Sequence, residues 1–148
     1  MKRKGPWSQS EVDRFLAEAR RPVRLACVGA KGYPVLASLW FVPLEGRLWC
    51  ATQRSARMAV LLERDGRCAF EVAEDQAPYC GVRGQGTASL HPERGEFILR
   101  ALVDRYLDDP DSDFAQWLLA RAASEVAIAI EPERLLSWDF RGRMGASA

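Results

Sequence analysis

Hydrophobic residues follow two different periods along this chain, and the first period predicts an opening helix. Ser8 followed three residues later by Glu11 is the pattern of a helix capping box. Apolar residues then recur at helical spacing up to Arg20, at Val12, Phe15, Leu16 and Ala19. We therefore expect a short amphipathic helix before the rest of the fold.

From Val23 onward the pattern is that of strands. Three consecutive segments, VRLACVG, YPVLASLWFVPL and RLWCAT, are separated by turns at Lys31-Gly32 and Glu45-Gly46. Short glycine turns of this kind join antiparallel neighbours. The middle segment is apolar at both parities from Val35 to Val42, so it needs cover on both faces. A small barrel covers only one face, and we therefore expect a helix or a second subunit on the other and predict a homodimer.

The remaining segments alternate between helices and strands. We predict a helix over 55–65 that stops at Gly66, helices over 92–107 and 112–122, and strands at RCAFEVAE, YCGVRGQGTASL, EVAIAIEP and ERLLSWDF. Gly81, Gly84 and Gly86 mark bulges or a close backbone approach in the second of these strands. The order predicts a mainly β fold with helical cover (α+β), an antiparallel barrel of six to seven strands.

Composition limits the function to that of one globular domain. The chain has 148 residues, 48% of them hydrophobic, and a formal net charge of +1. This charge lacks the basic excess of a nucleic-acid-binding protein, and no stretch is apolar for long enough to span a membrane. Four cysteines without a CxxC pair indicate small buried residues in a reducing, cytoplasmic setting. We predict a single domain over 1–148, with an N-terminal helix in 1–22, a barrel in 23–140 and a tail in 141–148.

The segment CATQRSARM lies where a strand ends and a helix begins. A helix start presents unpaired amide groups and a partial positive charge. Thr52 and Ser55 add hydroxyl groups there, and Arg54 and Arg57 add two guanidinium groups. These residues predict a phosphate site. In the alternative interpretation Ser55 only caps the helix and the arginines form a solvated turn.

A second candidate segment runs from Tyr79 to Gly86, where Arg83 and Gln85 alternate with glycines. Glycine lets a flat ring lie against the backbone, and Gln85 is able to hydrogen-bond a heterocycle. The alternative is a bulged strand whose polar residues face water. Among the tryptophans, Trp138 stands in the polar sequence SWDF and is the one that suggests a ligand.

The chain offers no convincing catalytic set of its own. Its only histidine, His91, precedes Pro92 at a predicted helix start, where a capping or surface role is expected. The carboxylates are dispersed over helices, so no acid/base pair can be assembled. Any redox chemistry must therefore come from a cofactor.

Three blocks of the sequence resemble the pyridoxamine 5'-phosphate oxidase-like family of FMN-binding split barrels. The blocks are RLACVGAKGYPVLASLWFVPLEGRLWCATQRSARMAVLLERDGRCAFEV, YCGVRGQGTASL and VAIAIEPERLLSWDF, which together span most of 23–140. The most specific features are a G-x-P turn, a W-F-V strand and a Thr-x-x-Ser-x-basic segment.

The resemblance implies a split β-barrel and assigns roles to residues. Ser38, Leu39 and Trp40 would lie along the flavin ring. Thr52, Ser55 and Arg57 would hold the FMN phosphate, and the charge pattern of the segment described above adds Arg54 to them. Gln85 would approach the ring or ribityl chain from the partner subunit, and Trp138 would line the same groove.

The C-terminal segment departs from the family. SWDFRGRMGASA has no histidine where pyridoxamine phosphate oxidases carry an Arg-x-His-x-Arg motif, which argues against that particular activity. Two classes of function therefore remain. One is an oxidoreductase that uses FMN or a deazaflavin coenzyme, and the other is a non-catalytic module that binds or senses flavin.

Overall fold

The computed structural model describes residues 1–143; the last five residues of the predicted tail lie outside the described part. Eight strands and four helices follow the chain order. The strands are β1 (Lys2–Lys4), β2 (Val23–Val28), β3 (Pro34–Leu39), β4 (Val42–Leu44), β5 (Arg47–Gln53), β6 (Arg67–Ala73), β7 (Cys80–His91) and β8 (Glu125–Asp139). The helices are α1 (Gln9–Glu18), α2 (Arg57–Arg64), α3 (Gly95–Tyr106) and α4 (Asp113–Leu119), with short 3-10 turns at Pro92–Arg94 and Ala122–Ser124.

All eight strands belong to one sheet, in the order β3-β2-β6-β7-β8-β5-β4. The pairings along this path are antiparallel, and β1 pairs in parallel with the second half of β8. Strands β3 and β4 lie at opposite ends of the path, yet only Trp40 and Phe41 separate them in the chain. The sheet is therefore open in its hydrogen bonding but curled, because its two edges must meet at these residues.

The break at Trp40 and Phe41 differs from the sequence-based prediction of one long middle strand. The Tyr106 hydroxyl accepts a hydrogen bond from the Phe41 amide (3.2 Å) and donates one to the Phe41 carbonyl (3.1 Å). A side chain from α3 thus replaces the ladder bonds at the point where the chain changes strand partners. This division and the unpredicted β1 raise the count to eight strands where six to seven were expected, and EVAIAIEP and ERLLSWDF form the single strand β8.

The main core lies on the inner face of the sheet, against α1 and α2. Alternate residues of β2 point into it, with Val23, Leu25 and Cys27 buried and Arg24 exposed. All four cysteines are buried free thiols, which confirms their prediction as small hydrophobic residues. A second cluster around Trp49 packs β5 and β8 against α3. Helix α3 therefore supplies the second cover that the sequence predicted for part of the middle segment.

The predicted glycine features of β7 are present. A Cβ at Gly84 would lie 2.3 Å from the Arg134 carbonyl oxygen, and one at Gly86 would lie 2.1 Å from the Glu131 carbonyl oxygen. The register between β7 and β8 shifts between Gln85 and Gly86. Glycine is required because β8 passes too close for a side chain, as the sequence suggested.

The opening helix α1 also forms as predicted, with the full capping box between Ser8 and Glu11. The Arg105 guanidinium of α3 donates hydrogen bonds to the carbonyls of Leu16, Ala17 and Ala19 and so fastens the end of α1. Among residues 1–143, no helix has the length and apolar character needed to cross a membrane.

Candidate functional site

The corner between β5 and α2 carries the predicted phosphate segment. Strand β5 ends at Gln53, the Arg54 amide donates to the Ser124 carbonyl (2.8 Å), and the Ala56 amide donates to the Gln53 carbonyl (2.9 Å). Helix α2 begins at Arg57 with Ala56 as its N-cap and with no side-chain cap. The helix thus begins two residues after the predicted start at Ser55, and the alternative interpretation in which Ser55 caps it is wrong. Ser55 belongs to the turn, because the bond from Ala56 to Gln53 closes that turn before the helix begins.

Positive charge is concentrated at this corner. Arg54 and Arg57 are exposed, and neither forms a salt bridge within residues 1–143. Arg57 stands at the first position of α2, where the amide groups of the first turn point outward. Burial raises the pKa of the Cys27 thiol on β2, and the positive charge of Arg57 acts in the opposite direction. The corner has the donors and charge of an anion site.

Side chains behind the corner fasten it to the start of β8. The Ser124 hydroxyl donates to Gln53 Oε1 (2.5 Å), and Gln53 Nε2 donates to the Arg121 carbonyl (3.3 Å). Glu125, directly across from Gln53, is buried, and burial raises the pKa of its carboxyl group. Its Oε2 atom has no hydrogen-bond partner within the described residues. The corner is thus held by neutral hydrogen bonds beside one poorly solvated carboxyl group.

The three residues expected along the flavin ring point in different directions. Ser38 is exposed on β3 and accepts a hydrogen bond from Arg24 Nη1 (3.0 Å). Leu39 is half-buried against the main core. The Trp40 ring stacks on Tyr106 with 5.0 Å between ring centroids, so its contacts here are with α3. Of the three side chains, the one on the open outer face of the sheet is Ser38.

Gln85 and Trp138 lie on the outer face of the sheet as well, but away from Ser38. Gln85 is exposed on β7, and Trp138 on β8 is half-buried under the Arg83 guanidinium, which lies 4.4 Å from the ring centroid. Strands β2 and β6 separate β7 from β3, which corresponds to roughly 14 Å at the usual strand spacing. Within one chain, Gln85 and Trp138 therefore lie two or more strands away from Ser38.

The outer face is a concavity of about 810 Å³. Arg83 and Gln85, which the sequence suggested as candidates for ligand binding, both line this face. The rest of its charged lining was not predicted and consists of Lys2, Lys4, Arg24, Glu71 and Arg134. Arg24 and Ala26 lie two positions apart in β2, so the sequence already indicates that they share a face of the strand. Their alignment with residues of four other strands is not indicated, because register between distant strands is a property of the folded sheet.

His91 stands at the N-cap position of the 3-10 turn Pro92–Arg94 and is partly exposed, which agrees with the expected surface role. Its ring contacts Ser89 Oγ (2.9 Å) and Glu93 Oε1 (3.2 Å) and lies against Trp49, and it makes no cap hydrogen bond. Within the described residues, no group of three or more histidine, cysteine or acidic side chains is arranged to hold a metal ion.

Comparison with known families identifies the class of this fold. The family profile described as pyridoxamine 5'-phosphate oxidase matches residues 8–139, which is most of the chain. The chain therefore belongs to the pyridoxamine 5'-phosphate oxidase-like family, as the sequence blocks predicted. No curated protein matches the chain significantly.

Solved structures with the same fold include flavin-binding proteins. A conserved hypothetical protein from Mycobacterium tuberculosis is 27% identical, with a TM-score of 0.79 over 92% of this chain and 87% of that one. An F420 reductase is 23% identical, with a TM-score of 0.66 over 82% and 94% of the two chains. A FAD-binding protein from Mesorhizobium loti is 18% identical, with a TM-score of 0.66 over 88% and 93%. The mostly antiparallel sheet with its helices is thus a fold that flavin proteins use.

Proposed function

We propose that this protein is an FMN-dependent oxidoreductase of the split-barrel type that works as a homodimer. The observation that carries the proposal is the β5–α2 corner, where two exposed guanidinium groups and the amides of a helix start meet in a chain of this family. The proposal concerns the cofactor and the type of reaction, and it leaves the substrate to be found.

The cofactor phosphate would bind at the corner. Arg57 supplies a charge-assisted contact from the first position of α2, and Arg54 supplies a second from the turn. Thr52, half-buried near the end of β5, and Ser55, exposed in the turn, would supply hydroxyl donors. The donor set fits a phosphate dianion, because it combines full positive charges, hydroxyl groups and the positive end of the helix dipole.

The flavin ring would lie along β3, beside Ser38, Leu39 and Trp40. Gln85 and Trp138 are too far across the sheet to reach a ring held at β3 of the same chain, and a second subunit would bring them to it. Leu36, which is 68% exposed on β3, supports this arrangement, since an apolar side chain at an edge strand favours contact with another copy. The groove would then lie at the subunit boundary.

The flavin supplies hydride transfer when it is bound, and the protein orients the ring and limits access of water. Among the described residues, His91 contacts Ser89, Glu93 and Trp49. The carboxyl group found beside the corner is that of the buried Glu125. The fold similarity to an F420 reductase and to a FAD-binding protein supports a flavin-like cofactor. A deazaflavin coenzyme is the second candidate for the same groove, and flavin binding without turnover is the non-catalytic alternative.

Arg57→Ala tests the phosphate site, and Arg64→Ala is the matched control at the other end of the same helix. Hydrogen bonds to charged groups contribute about 1.5 to 3 kcal/mol, so loss of Arg57 should weaken FMN binding by roughly ten- to a hundredfold. Arg64→Ala should leave FMN affinity unchanged. Riboflavin, which has no phosphate, should bind the wild type and both variants equally in a fluorescence titration. Equal losses of FMN and riboflavin affinity in Arg57→Ala would contradict a phosphate contact.

Measurement of turnover distinguishes the oxidoreductase from the non-catalytic module that only binds flavin. Oxidation of a reduced nicotinamide or a reduced deazaflavin by the FMN-loaded protein would support the oxidoreductase. Tight FMN binding with no turnover on either reductant would favour the non-catalytic module.

A further inference from the structure

Helix α4 carries two aromatic side chains on its outward surface. Phe114 is 51% exposed and Trp117 is 54% exposed, and their rings stack with 6.0 Å between centroids and 16° between planes. The inward side of the helix packs the fully buried Ala115 against α3. Single exposed apolar residues are ordinary, but two that lie together form a continuous surface that packing of the helix does not explain.

These two rings continue a run of aromatic side chains that begins at the end of β3. Trp40, which directly follows β3, meets Phe114 edge-on with 6.4 Å between ring centroids. Trp40 also stacks on Tyr106, whose hydroxyl bonds both backbone groups of Phe41. We call Trp40, Phe114 and Trp117 the aromatic wall. Its first end is thus fixed by α3.

The other end of the aromatic wall is tied to the β5–α2 corner. The Arg121 guanidinium lies 4.6 Å from the centroid of the Trp117 ring. The Arg121 carbonyl accepts hydrogen bonds from Gln53 Nε2 (3.3 Å) and from Ser124 Oγ (3.0 Å), the side chains that fasten the corner. The aromatic wall therefore runs from the end of β3 to the corner, beside the positions proposed for the flavin ring and its phosphate.

The size of the aromatic wall favours a small molecule as its occupant. The exposed parts of Phe114 and Trp117 amount to on the order of 200 Å² of apolar surface. A stable contact with a second copy needs about 800 Å² per partner. Successive rings of the wall are 6.4 and 6.0 Å apart, so a single ring stacks on one of them whereas a fused ring system reaches two or three.

The charges beside the aromatic wall favour an uncharged ligand. Asp113 precedes Phe114 in α4, and Arg121 is stacked on Trp117. These two residues contribute one charge of each sign, and neither forms a salt bridge within residues 1–143. The balance differs from that of the β5–α2 corner, where two guanidinium groups attract an anion.

We propose that the aromatic wall is the substrate-binding surface of the flavin site and that it takes uncharged molecules with two or more fused aromatic rings. Phe114 and Trp117 are the residues that determine this specificity. The inference rests on the proposed function, because a ligand of the wall is a substrate only if a flavin ring lies beside β3. Binding to the wall itself depends on α4 and Trp40 alone.

Three probes of matched structure test the ligand class, with the full-length protein in equilibrium dialysis. 2-Naphthol is uncharged at neutral pH and has two fused rings, phenol has one ring, and 2-naphthoate has the same rings with a negative charge. Saturable binding of 2-naphthol is expected. It should be roughly tenfold tighter than that of phenol, because the second ring adds apolar contact, and 2-naphthoate should also bind more weakly.

The double variant Phe114→Ala/Trp117→Ala should bind 2-naphthol roughly tenfold more weakly or worse and lose the preference over phenol. Trp117→Phe retains a ring and should keep most of the affinity. The control variant Tyr33→Ala/Phe97→Ala removes two exposed rings that lie outside the wall and should bind as the wild type does. Thermal unfolding of each variant without ligand verifies that the fold is intact.

Four results would overturn the proposal. Two concern affinity, namely equal binding of 2-naphthol by the wild type and the double variant, and binding of phenol or 2-naphthoate as tight as that of 2-naphthol. The third is dissociation of a wild-type dimer in the double variant alone, seen by light scattering, which would make the wall a subunit contact. The fourth is an unchanged flavin absorption spectrum when 2-naphthol binds the FMN-loaded protein, because a ligand of the wall should lie beside the ring.

FMN titration keeps this proposal separate from the proposed cofactor. Loss of 2-naphthol binding with FMN affinity retained in the double variant supports the aromatic wall as a surface distinct from the phosphate site. Absence of FMN binding in every protein, wild type included, would contradict the proposed cofactor. In that case the wall would remain a ligand site if 2-naphthol binding still depended on Phe114 and Trp117, but its role in substrate binding would be overturned.

Discussion

The two faces of strands β2, β6 and β7 have opposite chemistry, although the same strands supply both. The inner face carries Leu25, Phe70 and Val82, which are buried in the main core. The outer face carries Arg24 and Arg83 on either side of Glu71, exposed and outside any salt bridge within 1–143. Burial of the inner residues stabilises the fold, whereas exposed charges of one sign contribute little or oppose it. The inner face therefore supplies the stability of these strands, and the composition of the outer face is not explained by folding.

The difference between the two faces is tested most strongly by truncating a leucine on each of them. Leu25 is 0% exposed and Leu36 is 68% exposed, on paired strands. Leu25→Ala should lower the free energy of unfolding by about 2 to 5 kcal/mol, because it leaves a cavity in the core. Leu36→Ala should change the free energy of unfolding of the single chain by no more than about 0.5 kcal/mol, and a loss that depends on protein concentration would report the proposed subunit contact instead. Urea unfolding measures both, and similar losses would show that the outer face is also part of the folding core.

Substitution of Gly84 tests whether the close approach of β8 to β7 leaves no room for a side chain. A Cβ at this position would lie 2.3 Å from the Arg134 carbonyl oxygen and 2.6 Å from Phe70 Cζ. Gly84→Ala should therefore destabilise the protein by about 1 to 3 kcal/mol, since backbone or ring must move. Gly142→Ala is the control, because no atom lies within 4 Å of its Cβ position. Equal unfolding midpoints for the two variants would contradict the close approach.

The smallest expected effect is that of replacing Glu125, and it is a change in melting temperature that depends on pH. Burial raises the pKa of this carboxyl group in the folded protein above 4.5, so the native state holds its proton more tightly than the unfolded chain does. Its contribution to stability is therefore lost as pH rises from about 4.5 through the folded pKa. Glu125→Gln has no carboxyl group to ionise, so the variant should melt at a higher temperature than the wild type at mildly alkaline pH. The difference in melting temperature between the two proteins should vanish at pH below about 4.5.

The exposed Glu63 supplies the control for that experiment. Glu63→Gln removes one negative charge from a solvated helix face and should leave the pH dependence of the melting temperature unchanged. A Glu125→Gln variant that is less stable than wild type at alkaline pH would show that the ionised carboxylate has a stabilising partner.

The sequence predicted local features well where one segment contains the whole signal. The capping box of Ser8 and Glu11 is a contact between residues three positions apart, and the glycines of β7 mark a strand with close neighbours. The family followed from three blocks in order, and the profile match over 8–139 confirms it. These predictions are confirmed because the features depend only on the spacing of residues along the chain.

Features that depend on distant contacts were predicted less well. The break at Phe41 requires Tyr106, which lies 65 positions away. No residue pattern within the middle segment indicates that the strand is broken there. The start of α2 at Arg57 depends on the bond between Ala56 and Gln53, which continues the turn past Ser55. Strand β1 was not predicted, because three basic residues form a strand here only by adding to the edge provided by β8.

The predicted site residues follow the same rule. The corner residues Thr52 to Arg57 lie together because they are contiguous in sequence. The relation between Ser38 and Gln85 depends on the order of four strands, and periodicity alone carries no information about that order. The sequence therefore indicated candidate residues without indicating that one chain keeps them apart.

The most direct test of the central claim is a titration of the purified wild-type protein with FMN and with riboflavin, followed by flavin fluorescence. The account predicts saturable binding of FMN, with one molecule per chain at most, and an affinity roughly ten- to a hundredfold higher than that for riboflavin, since only FMN offers the β5–α2 corner a phosphate. Equal affinities for the two flavins, or no binding of FMN, would contradict it.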